Sequence, residues 1–567
     1  MNPSDESGYA IAPRWWAWAG TPRAWAVVAW AVAFAAAAHH VAGGRAWMSN
    51  RPDTPEHQMR PHPGGHGYTQ IDFGGQWVMG RMIVSGHGRE LYHRQRQWEV
   101  VRAGFPMDRE TPVQRNEAIL PKRLREQGRD DDELAHDADA MMWWFMGRDA
   151  PEWKDVGGAA AAPLTFEMNP LATLAYAQAS AQAVTPKIAE SVNKPAIGGP
   201  LYPPIHGFIY APLGLLDPQS AYYLFQFLAV GFAVIAGRGL SILTQGFVWW
   251  PVATAAVLLY PGCRVGIDLG QNPTISLAIV VWGWVLVVRN REWAAGMVWG
   301  LFAFKPVWGL AFFLVPLLMG RWRVCVSMVG TGAGLAALTL PFVGLQTWFD
   351  WLTVGNEAAE LYNRSRNWIH LSRDLQGIPR RFLHDFTKPE AERETPWARA
   401  VAWALWGVVF AGTVLVYRLR ADRTKRLGLG VAFLFLGAWL TCYRFMYYDV
   451  LLSLIGVACL LAEPARFLAP RTFRFEGDSL SRGFVNSFPL TVLLGLFLLD
   501  NWLAGLGVEA TVGVLGWAKP TGTPRIAADT SISYPWDTLL VMMLWGWCGW
   551  RLIRGDESPR ASHRSEP

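Results

Sequence analysis

The feature that most constrains this chain is a series of nearly uncharged apolar stretches, each close to the length of a bilayer crossing. Stretches such as Trp25–Ala38, Pro273–Val288 and Leu427–Leu440 approach the roughly 20 apolar residues that a hydrocarbon core about 30 Å thick requires. Helices of a soluble protein carry a polar face, and most of these stretches have none. Only 17% of the residues are charged and 51% are hydrophobic, whereas soluble domains are about a quarter charged. Trp249, Trp250, Trp322 and Trp536 stand at stretch ends, where amphipathic rings favour the membrane interface. The formal charge of +6 is spread over short loops instead of forming one basic face, so nucleic acid is not an expected partner. The lipid bilayer is.

We read twelve spans, near 24–43, 220–238, 246–262, 272–289, 293–304, 306–320, 324–344, 399–417, 427–443, 447–462, 488–506 and 535–553. The connections holding Arg289 and Arg291, Arg321 and Arg323, and Arg418, Arg420, Arg423, Lys425 and Arg426 are basic. So are 463–487 and the tail after Trp550. With twelve spans all of these fall on one side, which the positive-inside rule makes cytoplasmic. Segment 201–216, opening with Tyr202-Pro203-Pro204 and containing Pro212, does not count as a crossing, because it would invert every later loop. It reads as a re-entrant or juxtamembrane helix. The expectation is an all-α polytopic membrane protein of the cell (inner or plasma) membrane, multi-pass, with both termini cytoplasmic. Its parts are a tail at 1–23, a first transmembrane helix at 24–43 and an extracytoplasmic loop at 44–200 with amphipathic helices. A transmembrane core at 201–462 follows, with an outer loop at 345–398, and then a C-terminal part at 463–567 with two helices. Residues 24–43 resemble a signal peptide but are too long for one, and read as a retained anchor. Cys263, Cys325, Cys442, Cys459 and Cys548 all lie in or beside apolar spans without metal-type spacing, so neither disulfide nor zinc is expected.

Four polar features then fall on the outer side. Tyr68-Thr69-Gln70-Ile71-Asp72-Phe73, followed by Trp77, Val78, Met82, Ile83 and Val84, suggests an amphipathic helix along the membrane surface with Asp72 at its start. Asp72 is either an N-cap or a general base whose pKa the low polarity tunes. Lys305, between Phe304 and Pro306, lies in an otherwise apolar run and is expensive there. It either snorkels to the interface or meets an anionic group such as phosphate. The run Arg264-Val265-Gly266-Ile267-Asp268-Leu269-Gly270-Gln271-Asn272-Pro273 is a polar turn between spans. So is Tyr443-Arg444-Phe445-Met446-Tyr447-Tyr448-Asp449. In loop 345–398, Asn356, Asn363, Arg364, Asn367, Trp368 and His370 mix amide, guanidinium and aromatic groups, a weak sign of a polyhydroxylated ligand. His62, His66, His87 and His93 have no metal spacing, and Asp130–Glu133 with His136, Asp137 and Asp139 lacks the glycine of a calcium loop.

The order of these motifs resembles glycosyltransferase family 87, the polyprenyl-phosphate-mannose-dependent mannosyltransferase-like group of the GT-C superfamily. The resemblance is carried by Asp72-Phe73, Gly88-Arg89-Glu90-Leu91-Tyr92, Tyr202-Pro203-Pro204 with Ala211-Pro212-Leu213, Gly270-Gln271-Asn272-Pro273, Phe304-Lys305-Pro306 and Gly320-Arg321-Trp322-Arg323. It implies a GT-C-type bundle of about 12 transmembrane helices with a long extracytoplasmic first loop containing juxtamembrane helices. It implies transfer of a hexosyl, by family a mannosyl, group from a polyprenyl-phosphate sugar donor to a glycan or glycolipid acceptor, with inversion. Asp72 corresponds to the catalytic base. Lys305, Tyr202, Gln271, Asn272, Arg264, Tyr448 and Asp449 are the expected substrate-binding groups, with Lys305 on the donor phosphate. No metal and no cofactor is required. The insertion at 94–185 and residues 470–567 fall outside the resemblance. A transporter or flippase would often show internal repeats with paired broken helices, and none is visible. A surface-polysaccharide polymerase or ligase remains open through Arg364, Arg366, Arg373, Arg380 and Arg381.

Overall fold

The computed structural model describes residues 22–49, 71–93, 201–386, 392–463, 491–497 and 535–555, with 96–97, 100, 388 and 488–489 beside them. Most of the insertion at 94–185, the acidic run at 130–139, His62 and His66, the loop 463–487 beyond its first residue and most of the expected span 488–506 lie outside the described residues.

Every named element is helical. In chain order they are α1 (Pro22–Ser49), α2 (Ile71–Val84), α3 (Pro204–Tyr210), α4 (Pro218–Leu243), α5 (Trp250–Leu259), α6 (Cys263–Leu269), α7 (Pro273–Val288) and α8 (Glu292–Gly300). Then come α9 (Pro306–Leu318), α10 (Trp322–Arg364), α11 (Arg366–Leu371), α12 (Gly377–Leu383), α13 (Pro396–Arg420), α14 (Leu429–Leu440), α15 (Leu454–Leu461) and α16 (Trp536–Ile553). Short 3-10 helices precede α9 (Leu301–Phe304) and α15 (Tyr447–Ser453). Proline opens α4 and α13, where its missing N–H costs nothing. The side chains of Asp217 and Thr395 cap those two helices by accepting from Ser220 N and Ala398 N.

Four described helices are long and apolar enough to cross a membrane: Arg23–Ala42, Pro218–Leu243, Trp322–Arg364 and Pro396–Arg420. A fifth appears if α5 and α6, bent by 67°, are one broken span. The other expected spans coincide with shorter helices, among them α7 with 16 residues, α9 with 13 and α14 with 12. The polar turn expected at 263–271 is instead mostly α6, because Gly262 (φ +87°) and Gly270 (φ +67°) take left-handed conformations that let a short helix start and stop abruptly. The helix α10 breaks at Gly344 (φ 73°, ψ 170°), where the outer loop was expected to begin.

The path of the chain sorts the polar connections into two groups. Arg321 Nη1 meets Glu292 Oε1 at 2.6 Å, and Arg426 Nη1 donates to the carbonyls of Val287 and Val288 at 3.1 Å. Three basic connections that the charge pattern assigned to one side therefore meet at one end of α7. Its other end, about 24 Å away at 1.5 Å per residue, begins beside Gln271 and Asn272. From the basic end α8 runs up to Lys305, α9 returns to Arg321, and α10 runs up again. Between these ends Trp284, Trp299, Phe312 and Phe435 pack ring on ring, with Trp284 and Trp299 stacked at 5.8 Å.

Candidate active site

The helix α2 is not a surface helix. Residues 73–80 of α2 are all buried, so the expected amphipathic stripe is replaced by a helix enclosed on every side. The cause is close packing. A Cβ on Gly80 would strike the backbone of Tyr210, and one on Gly214 would lie 2.5 Å from the backbone of α2 at Arg81. The indole of Trp77 donates to the carbonyls of Leu213 and Leu216. Segment 201–216 is thus a helical cradle for α2, and Asp72 lies in the first turn of α2.

Gln76, one turn on, ties this helix to the α6–α7 corner. Its amide donates to Gly270 O and Asp72 O at 3.0 Å, and its Oε1 faces Asn272 Nδ2 (3.3 Å) and His206 Nε2 (3.1 Å). His206 is stacked between Tyr202 and Tyr210, at 4.0 and 4.6 Å. Burial, then the nearby charge of Lys305, lowers its pKa to about 3, so it is neutral. Tyr202 donates to Gln271 Oε1 at 2.8 Å, and the Gln271 side chain hydrogen-bonds the carboxyl of Asp72. Burial nevertheless raises Asp72 to about 6, against the hydrogen bond that lowers it. Asp72, Tyr202 and Tyr362 keep some exposed surface although protein surrounds their polar ends, which is the pattern of side chains lining a recess.

Near these side chains stands an ion pair, whose Asp449 carboxylate is sensed by the Tyr202 and Tyr362 phenols. Lys305 opens α9 from a non-helical conformation (φ −139°, ψ 70°), and its Nζ donates to both carboxylate oxygens of Asp449, at 2.8 and 3.0 Å. Both side chains are buried, and the Lys305 ammonium lies 5.4 Å from the Tyr448 ring centre. Trp439 donates to the Asp449 carbonyl at 3.1 Å. A buried charge is tolerated where its partner also satisfies its hydrogen bonds.

The segment after Gly344 packs against the turn at 443–449. Ser372 bridges Met446, and Arg373 N donates to Phe445 O at 2.9 Å. Arg373 Nε meets Asp537 at 2.8 Å, which brings the start of α16 against the same loop. Arg380 pairs with Glu394 at 3.1 Å, and Arg381 donates to the carbonyls of Ile369 and Ser372. Arg444 emerges beside them with its Nη1 3.6 Å from Asp374 Oδ1. The phenol of Tyr362 senses the charges of both Asp72 and Arg444.

The structure therefore gathers Asp72, Tyr202, Gln271, Asn272, Lys305, Tyr448 and Asp449. Arg264 does not join them: its side chain is 46% exposed, 3.8 Å from Asp268 on its own helix. Sequence reasoning passed over Gln76, His206 and Tyr362. The signal for Gln76 was a lone amide inside an apolar helix, and for His206 the Tyr-x-x-x-His-x-x-x-Tyr spacing that stacks three rings on one face.

The family model of glycosyltransferase family 87 matches residues 201–443, which hold Tyr202, Gln271, Asn272, Lys305 and Tyr362. Residues 201–443 are thereby recognised as glycosyltransferase family 87. In the comparisons with curated proteins and with solved structures nothing matches. As a membrane-embedded glycosyltransferase the chain takes a sugar donor and an acceptor. Asp72, Arg444 and Asp449 stand outside the matched stretch and reach the recess through the fold.

Proposed function

We propose that this glycosyltransferase moves a hexosyl, by family a mannosyl, group from a polyprenyl-phosphate donor to an acceptor hydroxyl at the outer face of the cell membrane, with inversion. Asp72 is the general base. The observation that carries the reading is the Asp72 carboxyl: no cation among the described residues pairs with it, its pKa is about 6, and it keeps some exposed surface near a buried ion pair. A base works best with a pKa near the ambient pH.

In this reading the acceptor oxygen attacks the anomeric carbon while its proton passes to the Asp72 carboxylate. The bond from that carbon to the phosphate oxygen breaks, and its electron pair leaves with the polyprenyl phosphate. Tyr202 and Gln271 hold the base in place. Asn272, through Gln76, fixes the corner of α6 and α7. Lys305 acts together with Asp449: the ammonium donates to both carboxylate oxygens, and Tyr448 covers the pair. The polymerase or ligase alternative loses ground because Arg373, Arg380 and Arg381 are occupied by Asp537, Glu394 and loop carbonyls.

The test is sugar transfer in membranes supplied with polyprenyl-phosphate-mannose, comparing wild type with Asp72→Asn at matched expression. Transfer by wild type that collapses in the variant supports the reading. Transfer that survives the substitution removes Asp72 from the chemistry, and transfer from a nucleotide sugar alone would sink the donor assignment.

A further inference from the structure

We propose that Arg444 binds the phosphate group of an isoprenyl monophosphate in this recess, the anion shared by the lipid-linked donor and the carrier it releases. The identity of that ligand rests on the transfer reading above. That an anion binds here rests on the guanidinium itself. The Arg444 side chain is only 10% exposed, yet Nε and Nη2 are buried with no hydrogen-bond acceptor. Buried donors are almost always partnered, and charged ones are especially costly to leave unmet. Asp374 does not fill the role: its Oδ1 lies 3.6 Å from Nη1 and already accepts from the backbone N–H groups of Gln376 (3.0 Å) and Gly377 (2.8 Å). The Tyr443 ring, 5.5 Å from the guanidinium carbon, offers a π face and no lone pair for a strong hydrogen bond.

The two unmet nitrogens define the ligand. Nε and Nη2 present parallel N–H groups along one edge of the guanidinium, the fork that matches two oxygens of a phosphate. Arg444 is also one of three non-glycine residues among those described with a left-handed backbone (φ +60°). Such a conformation is uncommon outside glycine and marks a position held for its side chain. It is fixed on the following residues by the Ser372–Met446 bridge and the Arg373-to-Phe445 hydrogen bond. Lys305 is the opposite case, its ammonium already bonded to both oxygens of Asp449.

Placement agrees with chemistry. Arg444 lies on the segment 443–449 whose Tyr448 and Asp449 meet Lys305, and the Tyr362 phenol is within electrostatic reach of both Asp72 and Arg444. Inversion needs both groups, because the acceptor's proton leaves on one face of the sugar while the phosphate departs on the other. Arg444 then neutralises the phosphate that takes the bonding pair.

The experiment is binding of a short isoprenyl monophosphate to the full-length protein in nanodiscs, with the uncharged isoprenyl alcohol and inorganic phosphate as controls. Arg444→Gln should weaken the monophosphate at least tenfold and leave the alcohol unchanged, with Arg444→Lys between the two. Asp374→Asn should bind the monophosphate as tightly as wild type or more so. Equal monophosphate affinity for wild type and Arg444→Gln overturns the inference. So does a parallel loss of the alcohol, or an Asp374→Asn variant that behaves like Arg444→Gln, since either means that Arg444 only holds the loop. Inorganic phosphate that competes at millimolar levels identifies the phosphate group alone as the determinant, whereas competition by the monophosphate only requires the isoprenyl chain as well. The outcomes remain separable from the transfer reading. Wild type that binds the monophosphate through Arg444 but transfers no sugar removes that reading and leaves this site.

Discussion

Two aspartates lie close enough for Tyr202, Tyr362 and Tyr448 to sense both, and their surroundings differ completely. Asp449 is clamped by Lys305 through both oxygens, and its backbone carbonyl takes a hydrogen bond from Trp439. Asp72 has one side-chain amide, that of Gln271, and no cation among the described residues. Both are carboxylates in the first turn of a helix. The difference teaches that a membrane protein keeps a buried carboxylate in one of two ways, neutralised by a dedicated cation or left able to take up a proton. Only the second kind can act as a base.

The sharpest break of this contrast is exchange of each carboxylate for its amide. Asp72→Asn should lower transfer by about 10²–10⁴-fold, the range of a lost general base, with protein yield unchanged or improved because a desolvated acid is removed. Asp449→Asn should act chiefly on folding, since it strands the Lys305 ammonium. Activity per folded molecule, from transfer normalised to monodisperse protein, separates the two. Equal losses per folded molecule would erase the distinction.

Next in size is the clamp itself. Lys305→Met leaves Asp449 buried and unpaired and should destabilise the fold by about 3–5 kcal/mol. The double variant Lys305→Met/Asp449→Leu should recover most of that in thermal unfolding while remaining poor in transfer. A double variant as unstable as the single one would mean that the pair is not the source of the loss.

How far the sequence carried this picture depends on range. The boundary at 344–345 was legible and coincides with the break at Gly344, whereas the proline starts and caps of α4 and α13, equally local backbone rules, went unread. The outer candidates were legible as a set, because charges in an apolar context stand out. Their pairing was not: Lys305 and Asp449 lie 144 residues apart, and periodicity carries nothing across that distance. Arg444 was hidden in a Tyr-Arg-Phe turn that composition alone reads as an aromatic interface. The enclosed state of α2 was missed because the amphipathic reading rested on Trp77, Val78, Met82, Ile83 and Val84 and took no account of Gly80, where the backbone of Tyr210 comes close. Short helices such as α9 and α14 were read as full spans, since an apolar run of 12 or 13 residues looks the same whether or not it crosses.

A smaller effect tests how α2 sets the base. Gly270 has φ +67°, and a Cβ there would lie 2.5 Å from the Cβ of Phe73, the neighbour of Asp72. Gly270→Ala should cost about 1–2 kcal/mol for the left-handed conformation alone. It should also push the first turn of α2 away from Gln271. The expected result is a transfer defect larger than the loss of stability accounts for. Full activity in a destabilised protein would show that Asp72 tolerates displacement.

The smallest effect is the most diagnostic, because it has opposite signs in two measurements. Asp72 titrates near 6 in the folded protein and near 3.9 when unfolded. Transfer needs the carboxylate, so activity should rise with pH through about 6 and level above it. Stability should move the other way. Between the two values the folded state holds the proton more tightly, so the contribution of this group is full below about 4 and falls as pH climbs through about 6, by about 1–2 kcal/mol once water in the recess is allowed for. Gln271→Leu removes the hydrogen bond that favours the ionised form and should move the activity midpoint upward, while Asp72→Asn should flatten this component of the stability profile. An activity midpoint that ignores Gln271 would detach the titration from Asp72, and the contrast with Asp449 would then need another carrier.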